Sequence, residues 1–141
     1  MFTICNWMSS PVFSLYETDT LHHAKSLMNL QRIRHIPIVD AEGRFVGLIT
    51  HRDILSATIS KLADLDEDTQ REIDSGIPIR EIMRVDVHTC TPDTPLKEAA
   101  ETLLNHKYGC LPVLEEGKLQ GILTEADFLK LAIDLMDALD R

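Results

Sequence analysis

Apolar and polar positions change period along this chain in blocks, and the blocks recur. Leu21, Ala24, Leu27 and Met28 are spaced by three and four, which places them on one face of a helix. Two short apolar runs follow, Ile36–Val39 and Arg44–Ile49, joined by Asp40-Ala41-Glu42-Gly43; they read as two strands and a polar turn. Further on the same order returns. Leu96, Ala99, Leu103 and Leu104 predict a helix, and Leu111–Leu114 and Lys118–Leu123 predict strands joined by Glu115-Glu116-Gly117. Thr18-Asp19-Thr20 and Thr91-Pro92-Asp93-Thr94-Pro95 supply turn and cap chemistry ahead of the helices. A short strand signal comes before each, at Val12–Ser14 and Val87–Thr89. Pro37 and Pro112 stand at the entrance to the first strand of each pair, where a missing N–H is tolerated.

The recurrence is a tandem repeat. Met8 aligns with Met83, Val12 with Val87, Leu21 with Leu96, Ala24 with Ala99 and Pro37 with Pro112. One residue is lost at the turn, after which Gly47 aligns with Gly121, Thr50 with Thr124, Asp53 with Asp127 and Leu55 with Leu129. Each unit, roughly 50 residues long, is too small to hold much core alone. Two α/β units of strand-helix-strand-strand-helix order, related by a pseudo-twofold axis, are therefore expected. The first unit is placed at 1–62 and the second at 78–141, with an acidic segment at 63–77 between them. The stretch Ala57–Ile77 extends the second helix and then turns acidic at Asp64-Leu65-Asp66-Glu67-Asp68; Ser75-Gly76-Ile77-Pro78 punctuates the join. Ile4–Met8 and Ile79–Met83 align as a lead-in to each unit.

The last helix carries more apolar surface than one core face requires. Phe128, Leu131, Ala132, Leu135 and Leu139 form a stripe with Leu129, Ile133 and Met136 beside it. Only a narrow polar strip of Lys130, Asp134, Asp137 and Arg141 remains. This predicts a homodimer through helical faces, a closed twofold pair being the commonest oligomer.

Composition narrows the class of function. The formal charge of −9 argues against nucleic acid or an anionic membrane surface as partner, since both demand clustered Lys and Arg. No apolar run approaches the ~20 residues that span a bilayer. The first basic residue is Lys25, so a secretory leader is not expected and a cytoplasmic location is. Cys5, Cys90 and Cys110 include no C-x-x-C pair, and the six histidines fall into no metal-ligand spacing; reduced thiols and no metal are expected.

No phosphate loop, dinucleotide fingerprint or nucleophile elbow is present, so no catalytic residues are assigned. The informative motif is Gly47-Leu48-Ile49-Thr50-His51-Arg52-Asp53, with its partner Gly121-Ile122-Leu123-Thr124-Glu125-Ala126-Asp127. Thr-x-x-Asp at a strand-to-helix junction has two readings. It is the pattern of a capping box, which contributes about 1 kcal/mol with no ligand. It also suits a nucleotide, because a helix N-terminus favours phosphate and a carboxylate can accept both hydroxyls of a ribose. Arg34-His35 and His51-Arg52 place cations at both ends of the first unit's strands, where the second unit has Gly109-Cys110 and Glu125-Ala126. The two units are electrostatically unequal.

The duplicated pattern of an apolar strand with proline, a glycine turn and G-h-h-T-x-x-D resembles the cystathionine-β-synthase (CBS) domain, two of which in tandem form a Bateman module. Thr-His-Arg-Asp-Ile-Leu at 50–55, Tyr108-Gly109-Cys110-Leu111-Pro112-Val113 and the motif at 121–129 are also similar to stand-alone bacterial CBS-pair proteins of the acetoin utilisation type. The resemblance implies two tandem β-α-β-β-α units packed through their sheets with pseudo-twofold symmetry, forming a regulatory, non-catalytic module with a cleft between two repeats for AMP, ADP or ATP, or alternatively S-adenosylmethionine or NAD, and no obligatory cofactor. It implies that Asp53 and Asp127 hold ribose hydroxyls, that Thr50 and Thr124 approach phosphate, and that His51 and Arg52 face it. Ser14 and Thr89 would line the cleft, and His35-Ile36-Pro37 and Cys110-Leu111-Pro112 would flank the base. Glu125 predicts a second cleft weaker for phosphorylated ligands. The signal would pass, through a change in dimer arrangement, to a separate effector protein. The alternative is a ligand-independent dimeric scaffold.

Overall fold

In the computed structural model, which describes residues 3–8, 12–59, 67–106 and 109–140, the chain folds as two units, Phe13–Val87 and Met1–Val12 with His88–Arg141. Of the motifs named above, Asp64-Leu65-Asp66, Tyr108 and Arg141 lie outside the described residues.

Unit Phe13–Val87 contains β1 (Leu15–Tyr16), α1 (Leu21–Gln31), β2 (His35–Val39), β3 (Phe45–Thr50), α2 (His51–Ile59) and α3 (Glu67–Ser75). The sheet order is β1-β2-β3, with β1 parallel and β3 antiparallel to β2. Thr20 begins α1 as its N-cap: its hydroxyl accepts from the His23 N–H, and its own N–H donates to His23 Nδ1 at 3.2 Å. The predicted apolar face is the one that is buried. Leu21, Ala24 and Met28 pack with Ile36, Ile38, Ile49 and Ile54. In α3, Asp74 is buried with both carboxylate oxygens occupied, Oδ2 by Lys25 Nζ at 2.7 Å and Oδ1 by Gln70 Nε2 at 2.8 Å. Those partners offset the desolvation that an unpaired buried charge would suffer.

The other unit contains α4 (Leu96–Asn105), β4 (Cys110–Glu115), β5 (Lys118–Thr124) and α5 (Glu125–Leu139). Leu96, Ala99 and Leu103 pack against Leu111, Val113 and Leu123. Glu116 at φ 53° and Gly117 at φ 81° make the two-residue turn of the β4–β5 hairpin, which explains the residue lost relative to the first repeat.

Several expectations need correction. The strand expected at 12–14 lies instead at Leu15–Tyr16, and its counterpart at 87–89 is reduced to a single parallel bridge between Cys90 and Val113. The described part of α2 reaches Ile59 and α3 spans Glu67–Ser75, and the extension expected between them falls on residues outside the described ones. Leu104 is exposed, because Leu103 fills the core position of that turn. Pro37 and Pro112 lie within β2 and β4, not at their entrances. The ladder accommodates them. Leu48, opposite Pro37, directs its N–H and C=O away from β2 to Arg84, at 2.8 Å each. The pair is therefore a non-hydrogen-bonded one, and the proline nitrogen faces the side where β1 pairs only with Ile38 and Val39.

The lead-ins are exchanged. Ile4, fully buried, sits in the core of α4, β4 and β5, with its N–H donating to the Thr94 carbonyl at 3.3 Å. Ile79, equally buried, joins the core of α1, β2 and β3, with its N–H donating to the Asp19 carbonyl at 2.8 Å. Each structural unit thus takes the lead-in that the repeat alignment gives to the other copy. A 3-10 turn that begins with one buried Ile fits beneath either helix start, so sequence order cannot say which it joins. Gly47 registers the closeness of the fit: a Cβ there would lie 2.6 Å from Met83 Sδ and 3.0 Å from the Arg84 carbonyl oxygen.

Ile4→Ala and Ile79→Ala are each expected to cost about 2–5 kcal/mol in urea unfolding. Hydrogen exchange assigns the damage: Ile4→Ala should deprotect amides of 96–123, and Ile79→Ala those of 21–49. The opposite assignment would restore the lead-ins to sequence order.

Candidate functional site

β3 runs into α2, and β5 into α5, with no intervening residue, so the last strand residue is also the first helix cap. At the first junction Thr50 donates to Asp53 Oδ2 through its N–H at 3.0 Å and its hydroxyl at 2.9 Å, while the Asp53 N–H donates to Thr50 Oγ1 at 3.2 Å. At the second, Thr124 donates to Asp127 Oδ2 through its N–H at 2.9 Å and its hydroxyl at 3.3 Å. Both are capping boxes, and both hold a shielded carboxylate at the start of a helix. The cap reading of the motif is therefore correct as far as it goes. Each cap occupies one carboxylate oxygen and leaves the other for a further partner.

That second oxygen distinguishes the two sites. Asp53 Oδ1 accepts from Arg84 Nε at 2.8 Å, with a second guanidinium nitrogen, Nη2, also at 2.8 Å. Arg84 is held by its backbone bonds to Leu48, which set its side chain over the start of α2. Among the described residues no basic side chain forms an ion pair with Asp127, and the next acid is Glu125 at the first helical position. Sequence reasoning missed Arg84, which lies far from Asp53 along the chain. The only signal was a cation immediately after Met83, in the lead-in that proves to be exchanged.

The pleat sorts the remaining candidates. Ile36, Ile38 and Ile49 face the core, so His35, Pro37, Leu48 and Thr50 share the other face of the sheet. Leu111, Val113 and Leu123 do the same in the other unit, leaving Cys110, Pro112, Ile122 and Thr124 opposite. Ile36 and Leu111 therefore offer a ligand only their backbone. Ser14 and Thr89 are exposed beside β1 and the Cys90 bridge, and Arg52 is exposed on the first turn of α2. Arg34 and His51 meet elsewhere. The His51 N–H donates to the Arg34 carbonyl at 2.8 Å, and both residues line a hollow of about 560 Å³ between α1 and α2, with Lys25, Arg32, Ile54 and Leu55.

The cysteines are placed for packing. Burial, with the Glu98 carboxylate adding to it, pushes the Cys90 thiol up to about 12, and burial alone pushes Cys110 up to about 12. Thiolate nucleophiles require the opposite shift.

The CBS domain model matches residues 4–60 and 79–134 of this chain. In structure the chain is similar to a Vibrio cholerae protein assigned to acetoin utilization, AcuB, at 35% identity and a TM-score of 0.86, covering 100% of this chain and 98% of that one. The CBS domain pair of protein MJ0100, solved in complex with 5′-methylthioadenosine and S-adenosyl-L-methionine, is 25% identical with a TM-score of 0.77, over 92% of this chain and 94% of that one. An uncharacterized protein of Methanocaldococcus jannaschii, MJ1225, is 32% identical over 124 residues, which are 88% of this chain and 40% of the relative. A homoserine O-acetyltransferase of Methanohalophilus mahii is matched over 23% of its length, so the chain spans less than half of these first curated relatives.

Titration of the native protein with a thiol reagent at pH 8 should modify Cys5, which is exposed, and spare Cys90 and Cys110 until denaturant is added. A thiol with pKa about 12 is only about 10⁻⁴ ionised at that pH, and its reactivity rises as pH climbs towards 12. Rapid native modification of Cys110 would contradict the packing role.

Proposed function

We propose that this chain, which belongs to the CBS domain family and carries two copies of that domain in tandem, is a regulatory module that binds an adenosine-containing ligand and performs no catalysis of its own. The observation that supports the reading best is the duplicated junction, where a threonine fixes a carboxylate at the end of a strand and leaves one of its oxygens outside the cap. That MJ0100, at 25% identity, holds two adenosine derivatives supports the ligand class.

Asp53 and Asp127 accept hydrogen bonds from the two hydroxyls of a ribose, and Thr50 and Thr124 stand nearest the 5′ substituent. Pro37 and Pro112, with the backbone of Ile36 and Leu111, flank the base, between His35 and Cys110 and the Ser14 and Thr89 hydroxyls. The sites differ in charge. Arg84 and Arg52 give the first site cations for phosphate. As phosphate draws Arg84 over, Asp53 Oδ1 is released to the ribose. Glu125 repels phosphate at the second site, where two like charges a few Å apart cost about 1–4 kcal/mol in a surface environment. AMP, ADP or ATP therefore prefers Asp53, while phosphate-free derivatives such as methylthioadenosine or S-adenosylmethionine suit Asp127. The module works as a cytoplasmic homodimer. A ligand preferring one dimer arrangement shifts that population and is read by a separate effector protein.

The completeness of both capping boxes favours a second reading, a scaffold whose Thr–Asp pairs serve the helices alone. A ligand panel separates the two.

Calorimetry with AMP, ADP, ATP, NAD, S-adenosylmethionine and methylthioadenosine should give binding heat with at least one. A ligand present at 100 times its Kd should add about 2.7 kcal/mol to stability. Arg84→Ala should weaken AMP about tenfold and adenosine less than threefold, since the charge it supplies is directed at phosphate. Silence across the whole panel leaves the scaffold reading standing.

A further inference from the structure

The hollow between α1 and α2 is left over by a ligand at the Thr–Asp junctions. Its floor is aliphatic, with Met28, Ile33, Ile54 and Leu55. Its rim carries Lys25, Arg32, Arg34 and His51. Lys25 is neutralised by Asp74 at 2.7 Å. Among the described residues Arg32, Arg34 and His51 form no ion pair, although the chain has 23 acids against 14 lysines and arginines from which partners could be drawn. The backbone fixes where these side chains start. Arg32 is the C-cap of α1 at φ 53°, and the Arg34 carbonyl accepts from the His51 N–H at 2.8 Å.

The second repeat supplies the comparison. It keeps the floor, with Leu103, Phe128 and Leu129 at the positions of Met28, Ile54 and Leu55. It does not keep the rim: Ala100, Gly109 and Glu125 stand at the positions of Lys25, Arg34 and His51. The apolar positions are thus what the fold asks of both copies, whereas the cations belong to the first alone. Like charges gathered on one edge without partners repel one another. Packing gives no reason to collect them there, and an anion does.

The lining also limits the kind of anion. Among the described residues no hydroxyl or carboxylate faces the hollow, so a sugar would find no acceptor of the kind Asp53 provides. What fits is a hydrocarbon body on the floor and a planar anionic head at the guanidinium groups, which take carboxylates through paired N–H bonds. The volume, about 560 Å³, is that of a small-ligand site. We propose that the α1–α2 hollow is a second ligand site, which takes an aliphatic carboxylate of medium chain length. Its head meets Arg32 and Arg34, and its chain lies over Met28, Ile33, Ile54 and Leu55. Met28 and Ile54 pack on the Ile36 and Ile49 face of the sheet, opposite the face that carries Thr50. The two sites are therefore separate, and this one does not depend on an adenosine ligand.

Titration of the full chain in its native assembly with decanoate, below the concentration at which it forms micelles, tests the site. Calorimetry should give about one decanoate per chain, with decanol and decyltrimethylammonium weaker by about tenfold or more. Amide shifts in nitrogen-15 spectra should centre on residues 25–34 and 51–55. Arg32→Gln with Arg34→Gln should weaken decanoate by about tenfold or more while circular dichroism and the methylthioadenosine titration stay unchanged. A chain that binds decanoate in this way and is silent to every adenosine ligand would fail the earlier reading and uphold this one. Decanoate binding retained by the double variant, equal binding of decanol, or shifts centred elsewhere overturns the proposal. So does cosedimentation with phosphatidylglycerol vesicles without decanoate binding, which would make the rim a membrane contact.

Discussion

The fixed carboxylate at each strand-to-helix junction is the constraint on which the rest of this architecture depends. A strand that ends in a helix with no connecting residue must satisfy the first helical N–H groups immediately, and a threonine with an acid three residues later does so reciprocally. In doing so it removes the freedom of the aspartate side chain. The carboxylate then stands at one place, on the face of the sheet that also carries Thr50, Leu48 and Pro37, with one oxygen committed and one available. Capping and the proposed ligand recognition are therefore compatible uses of these residues. The cap fixes the orientation that such recognition would require.

The two copies keep that constraint and diverge around it. In one, a backbone-pinned arginine meets the available oxygen; in the other, an acid opens the helix and no basic partner is present among the described residues. A duplicated scaffold with unequal charge can discriminate between ligands that share a nucleoside and differ in phosphate. This kind of specificity comes from repulsion at one site as much as from attraction at the other.

Much of this was legible in the chain itself. The spacing of Leu21, Ala24 and Met28, the paired strands and the Thr–Asp motif all follow from local periodicity and cap chemistry, which act over a few residues. What was not legible acts over longer distances. Ile4 and Ile79 look interchangeable in an alignment, and only packing reveals that each fills the core of the unit named for the other copy. Arg84 is remote from Asp53 in sequence and reaches it because the exchanged lead-in bonds to the edge of β3. Pro37 was misplaced for a related reason. Its position within β2 depends on Leu48 turning its polar groups towards Arg84, a neighbour that strand propensity does not anticipate.

The most direct measurement is the ligand-induced melting shift of a chain carrying Asp53→Asn together with Asp127→Asn. An amide oxygen can still accept the cap bonds from Thr50 and Thr124, so the unliganded protein should lose no more than about 1 kcal/mol per helix, the value of a cap. Without the carboxylate charge, the shift produced by AMP and by methylthioadenosine should disappear. A double variant that keeps the full shift with both would contradict the account, since the aspartates would then be caps and nothing more.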